Sequence, residues 1–192
     1  MPRPTTTKEK EKPLNKRELE KFKKILLEKR DEVAERIRER AVSWAVAAAD
    51  VYEIDHVNIL QAARLAMRRA VERLPAPCDC LLVDATSVDL DLPQKALIHG
   101  DARCFSIAAA SILAKVARDA ALQAWDAVFP EYGFRDNKGY GTPDHLAALE
   151  RLGPTTLHRF SFEPVRKLSR HEVWTGYPIP QPPISQQGEL FA

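Results

Sequence analysis

From Leu19 to Val33 apolar residues (Leu19, Phe22, Leu26, Val33) recur between charged ones at helical intervals, which predicts a helix with one apolar stripe. Asn15 stands where it can cap the first turn. The preceding stretch, MPRPTTTKEKEKP, has no apolar period and predicts a flexible lead over residues 1–13. The helix that follows reads as a charged surface helix, with a partner-binding helix as the alternative. Ala41 to Ala49, AVSWAVAAA, is a compact apolar run holding Val42, Trp44 and Val46, and is expected to form a strand. In VYEIDHVNILQAARLAMRRAVERL, Ile59, Ala62, Ala63, Ala66, Met67 and Ala70 share one face and Arg64, Arg68 and Arg69 another. That is an amphipathic helix, stopped by Pro75 and Pro77.

Two short apolar runs follow, CLLV ending at Asp84 and KALIH ending at Gly100-Asp101, and each predicts a buried strand with an aspartate at its carboxyl end. Ser106 to Trp125 is Ala-rich and long enough for a closely packed helix, with Pro130 beyond its end. Residues 131–142, EYGFRDNKGYGT, read as a glycine- and aromatic-rich loop; Pro143 then opens a helix that Gly153 and Pro154 close. The tail from Tyr177 is Pro- and Gln-rich and is expected to lack structure, although its closing Gln-Gly-Glu-Leu-Phe has the form of a short docking peptide.

Composition changes this picture little. Over 192 residues, 45% hydrophobic and 29% charged describe a soluble globular chain with one core. The 29 basic and 27 acidic residues leave a net charge of +2, so any case for nucleic acid rests on local patches. Three cysteines (Cys78, Cys80, Cys104) without an apolar leader point to a reducing cytoplasm and free thiols, and Cys78-Asp79-Cys80 lacks the second pair that a tetrahedral zinc site needs. No stretch approaches the ~20 apolar residues that span a bilayer, so no membrane role is expected.

Asp84 and Asp101 lie 17 residues apart, and adjacent strands of one sheet would bring their carboxylates to one edge. Carboxylates without Cys or His partners suit hard, oxygen-preferring ions such as Mg2+ or Mn2+, the ions that phosphoryl transfer uses. Aspartates at strand ends are also common turn residues, so spacing alone leaves both readings open.

The text around the pair is more specific. LLVDATSVDLDLPQKALIHGDARCFSIAAASILAKVARD, followed by FPEYGFRDNKGYGTPDHLAALERLGPTTLHRFSFEPVR, resembles the carboxyl half of the ribonuclease HII family, and the resemblance extends upstream to about Glu35. It implies an α/β, ribonuclease H-like mixed sheet flanked by helices, and a domain over 35–170. It also implies an enzyme that cuts the RNA strand of RNA/DNA hybrids, and duplex DNA 5' to an embedded ribonucleotide, using two divalent ions, Mn2+ or Mg2+, held by four acids. Asp84 in LLVDA and Asp101 in HGDA match two of those four as catalytic and metal residues. Tyr140 in KGYGT matches the aromatic residue that packs on the sugar at the RNA/DNA junction. Ser111, Lys115 and Arg118 share a helix face suited to phosphate, or are surface groups, and Lys138 stands beside Gly139 within phosphate reach. His145 and His158 read as structural or as proton-shuttling residues.

The family's other two acids form an Asp-Glu pair in a motif D-E-x-G-R-G near the amino terminus, and no glycine precedes Gly100 in this chain. A glycine loop that reads the 2'-OH by close backbone approach is therefore not expected before that point. Asp31-Glu32 imitates the pair but sits in a helical, glycine-free context and reads as surface. Residues 14–33 resemble instead the opening helix of the DnaK-suppressor type of transcription factor, which suggests a helix of foreign origin over 14–34, with the Pro/Gln tail at 171–192. By the resemblance, AVSWAVAAA matches the third strand of a sheet ordered 3-2-1-4-5. The sheet is then expected to lack its first two strands, leaving open edges prone to self-association. Three readings follow: a weakly active or inactive nuclease, a non-catalytic nucleic-acid binding fragment, and a chain whose missing strands come from a partner.

Overall fold

The computed structural model describes residues 15–169; the expected lead at 1–13 and the tail at 171–192 lie outside them. Helix α1 (Lys16–Arg40) begins as its sequence dictates. The Asn15 carboxamide accepts the Glu18 amide at 3.0 Å and the Glu18 carboxylate accepts the Asn15 amide at 2.9 Å, a reciprocal cap. The first half of α1 leaves Leu19, Phe22, Ile25 and Leu26 exposed, whereas Ala34 is fully buried. There the helix packs on a second long helix, and Arg30 Nη1 meets Asp119 at 2.6 Å with both side chains largely covered. Arg30→Ala strands the Asp119 carboxylate in that contact. We expect a loss of about 1–3 kcal/mol, read from urea midpoints, against a much smaller change for Lys24→Ala in an exposed pair.

Residues 41–50 are not the strand that their composition predicts. The backbone is extended at Ala41 (φ -69, ψ 137) and at Asp50 (φ -82, ψ 176), but no ladder forms along the segment and Val42 is 98% exposed. A strand exists through its hydrogen-bonded neighbour, and among the described residues this apolar run has none. Helix α2 (Val51–Glu72) follows from a second reciprocal cap between Asp50 and Glu53. It is kinked at Asn58 (φ 69, ψ 165), whose carboxamide accepts the Leu60 and Gln61 amides and recaps the helix.

Strands β1 (Leu81–Asp84) and β2 (Gln94–Leu97) pair in parallel, Leu81 opposite Gln94 and Asp84 opposite Leu97. Among the described residues this two-stranded parallel sheet is the whole sheet, not a mixed one. Its crossover, residues 85–93, is short for a parallel connection, and the Gln94 side chain closes it by accepting the Val88 amide at 2.8 Å and donating to the Val88 carbonyl at 2.9 Å. Helix α3 (Gly100–Arg103) leads into α4 (Phe105–Val128), which runs three residues beyond the predicted Trp125. The expected loop at 131–142 carries a 3-10 turn, Pro130–Tyr132, and helix α5 (Phe134–Asn137). Helices α6 (Pro143–Leu152) and α7 (Glu163–Ser169) complete the order.

The main core lies at the carboxyl end of α4, where Phe129, Tyr132, Phe134, Ala148, Leu149 and Val165 are buried against one another. The sheet is thinly covered by comparison. Val83, Val88, Ile107 and Leu113 are buried on one side, but Leu82, Ile98 and Phe105 are 44%, 68% and 96% exposed.

Candidate active site

Asp84 closes β1, and its Oδ1 accepts the Gly100 amide at 2.8 Å. This bond sets Asp84 beside the turn that carries Asp101. Asp101 does not end a strand as its spacing predicts; it lies in the first turn of α3, past the end of β2, with its Oδ1 on the Ala102 amide at 2.9 Å. Both carboxylates are exposed. The approach depends on Gly100: a Cβ there would lie 2.7 Å from Ile107 Cδ1, 3.2 Å from Asp84 Oδ1 and 3.3 Å from Asp84 Cα. Two non-glycine residues in left-handed backbone flank the pair, Ala85 (φ 51) after Asp84 and His99 (φ 55) before Gly100. Each such residue costs on the order of 1 kcal/mol, and the Ala85 amide is held there by the Leu97 carbonyl at 3.0 Å.

Two exposed aspartates offer oxygen donors of the kind that Mg2+ and Mn2+ prefer. Among the described residues no group of three or more His, Cys, Asp or Glu is gathered as a complete metal cage. Asp31 and Glu32 lie far along the exposed face of α1, paired with Arg30 at 2.8 Å and Lys29 at 2.8 Å, as expected of surface residues.

Helix α4 leads from the carboxylate turn to the Tyr140 loop. Ser111, Lys115 and Arg118 are all exposed along it, at the spacing of one face. Arg118 is engaged with protein: its Nη2 donates to the Lys138 carbonyl at 2.9 Å, and its guanidinium lies 5.0 Å over the Tyr140 ring. Tyr140 is 59% exposed, so the ring is backed on one side and open on the other. The loop turns through left-handed backbone at Lys138 (φ 53) and Gly139 (φ 73), with Asn137 Oδ1 accepting the Gly139 amide at 2.8 Å.

Sequence reasoning missed Asn137 and the pairing of His145 with His158. These two rings stack 5.3 Å apart, both buried, against Tyr132 and Phe134. Burial, followed by the neighbouring His145, lowers the His158 pKa from 6.5 to about 4. No periodicity signals such a pair; only one histidine in the first turn of a predicted helix and a second just past its end could have pointed to it.

A family model for ribonuclease HII matches residues 5–165 of the chain. Ribonuclease HII from Solibacter usitatus is 59% identical over 155 residues, covering 80% of this chain and 68% of that protein. The Syntrophotalea carbinolica protein of the same name is 52% identical over 76% of this chain and 70% of its own length. The Myxococcus xanthus protein is 50% identical over 90% of this chain but 58% of its own length. The chain thus spans between 58% and 70% of these three relatives. The crystal structure of ribonuclease H2 from Pyrococcus horikoshii superposes with a TM-score of 0.63 at 20% identity, over 74% of this chain and 75% of that one, which shows the shared fold. The parallel strand pair and the helices around it are therefore of the ribonuclease H-like fold, and the chain belongs to the ribonuclease HII family of hydrolases.

Proposed function

We propose that this chain binds RNA/DNA hybrids and ribonucleotide-containing duplex DNA in the cytoplasm and hydrolyses the phosphodiester 5' to the ribonucleotide with the help of divalent ions held by Asp84 and Asp101. One observation carries the reading: the Asp84 carboxylate is fastened to the Gly100 amide at 2.8 Å, next to Asp101, at an exposed sheet edge. A Mn2+ or Mg2+ ion there would activate water and balance charge on the leaving oxygen. Two carboxylates hold such an ion more weakly than four, so the account expects slow cleavage that needs high metal concentration.

The protein's own residues serve binding. From Phe105 to Arg118 α4 rises about 20 Å, roughly six base-pair steps of a duplex, and Ser111 and Lys115 lie along that span. Lys115 and Lys138 meet phosphates, and Tyr140 offers a flat face to a sugar, where the 2'-OH distinguishes RNA from DNA. On this reading α1, residues 16–40, belongs to the nuclease domain, supported by its Arg30–Asp119 pair with α4 and by the family match over 5–165, so the boundary expected at residue 34 falls inside one helix. Fluorescence anisotropy with a labelled hybrid and the DNA duplex of the same sequence tests the binding half. The hybrid is expected to bind more tightly; equal affinity sinks the reading.

A second reading, a non-catalytic hybrid binder, is favoured by the lack of any gathered group of three metal-ligating residues among those described. It predicts the same binding preference without turnover at any metal concentration. We also propose self-association through the exposed Leu82, Ile98 and Phe105 beside the open strand edges. Sedimentation velocity is expected to show mass rising with concentration for the parent and less so for Phe105→Asp. A concentration-independent monomer in both excludes it.

A further inference from the structure

The buried histidines carry a proton arrangement that their neighbours dictate. Two groups meet His145 Nδ1, the Tyr132 carbonyl at 3.0 Å, which can only accept, and Asn137 Nδ2 at 3.1 Å, which can only donate, so the tautomer of His145 is decided at its other nitrogen. The Thr155 amide can only donate, and it lies 3.0 Å from His158 Nδ1, so that nitrogen is bare and His158 carries its proton on Nε2. The two Nε2 atoms face each other at 3.4 Å, so the proton on His158 Nε2 requires a bare His145 Nε2 and leaves the His145 proton on Nδ1, towards the Tyr132 carbonyl. The result is a chain with one direction, from the Thr155 amide through His158 to His145 and on to the Tyr132 carbonyl.

That same carbonyl accepts the Asn137 Nδ2 at 2.7 Å, and Asn137 Oδ1 holds the Gly139 amide at 2.8 Å. Asn137 is itself buried, and its backbone carbonyl accepts the Tyr140 amide at 2.9 Å. The histidine chain therefore ends on the carbonyl that also holds Asn137, the residue that shapes the Lys138-Gly139-Tyr140 turn from inside, while Arg118 braces the turn from outside through the Lys138 carbonyl and the Tyr140 ring. A left-handed turn with a non-glycine residue at Lys138 needs such support to stay populated.

We propose that Asn137, His145 and His158 are positioning residues, whose one-way hydrogen-bond chain fixes the turn that presents the Tyr140 ring to the sugar of a bound hybrid. This rests on the binding role given to Tyr140 above, but the positioning of the ring can be tested without it. The 15N imidazole spectrum of the full chain at neutral pH reads each tautomer directly: the expected pattern is His145 protonated at Nδ1 and His158 at Nε2. His145→Leu keeps bulk but loses the donor, whereas His145→Asn places an amide N–H where Nδ1 stood. The leucine variant is expected to shift and broaden the Tyr140 ring signals and to lower the preference for hybrid over DNA duplex by about tenfold. The asparagine variant is expected to restore both to within about twofold, with Asn137→Ala behaving as the leucine variant does. Rescue by asparagine supports positioning, because mere filling of the core is served better by leucine. The opposite tautomer at either histidine overturns the proposal, as do unchanged Tyr140 signals in a folded His145→Leu protein. If the parent itself shows no preference for hybrid, the functional reading falls, and the tautomers with the Tyr140 signals still decide the positioning claim.

Discussion

Gly100→Ala is expected to destabilise the protein by about 1–3 kcal/mol and to weaken Mn2+ binding, because the new methyl group has nowhere to go. It would sit 2.7 Å from Ile107 Cδ1, the end of a buried side chain at the start of α4 that must shift to admit it. On the other side it meets the Asp84 Cα at 3.3 Å, which is backbone of β1 and moves only with the strand. Relief therefore pushes α3 from β1 and lengthens the 2.8 Å bond from the Gly100 amide to Asp84, so that the two carboxylates separate. Urea midpoints and a Mn2+ titration on the same samples check this. A variant as stable as the parent with unchanged affinity would show that close approach at Gly100 does not hold the site.

Acid is expected to remove up to about 3 kcal/mol of stability between pH 6.5 and pH 4, through His158. Its folded pKa of about 4 lies below the ordinary 6.5, so over that interval the unfolded chain binds more protons than the folded one. Stability tied to this group is therefore fully present above pH 6.5 and falls as the pH drops towards 4. The cause is burial first and the facing His145 second. A further proton on His158 Nδ1 would oppose the Thr155 amide. The carboxylates with lowered values, Glu53 at about 2 and Asp55, Glu32 and Glu163 below their ordinary values, keep their contribution above their ordinary 3.8 to 4.5, so the interval from pH 6.5 to 4.5 reads His158. Urea midpoints at pH 7 and pH 4.5 measure the loss. His158→Gln is expected to flatten the dependence, and an equally steep loss in that variant would assign the effect elsewhere.

What could be read from the sequence divides along physical lines. Local signals held: Asn15 caps α1, Pro143 opens α6 behind Thr142, and the strands that end at or near Asp84 and Gly100 lie where apolar runs meet turn residues. AVSWAVAAA failed as a strand because a strand is defined by its neighbour, which no local pattern contains. The Asn58 kink was carried by a residue type that tolerates left-handed backbone, but an amphipathic period running through it concealed the break. At the site, the sequence showed which aspartates to compare, whereas the Gly100 amide that joins them and the move of Asp101 into α3 are tertiary facts. Arg118 reads equally well as a phosphate ligand in a linear pattern; only the fold brings it onto Tyr140. The histidine pair depends on the turn after Gly153 folding back on α6, a contact between residues 13 positions apart with no periodic signature.

The most direct measurement is cleavage of a DNA duplex holding one ribonucleotide by the full chain, at rising Mn2+ and separately Mg2+, beside Asp84→Asn. The account predicts a slow cut 5' to the ribonucleotide that grows with metal and vanishes in the variant. No cut by folded protein at any metal concentration, or a cut that survives Asp84→Asn, would contradict it.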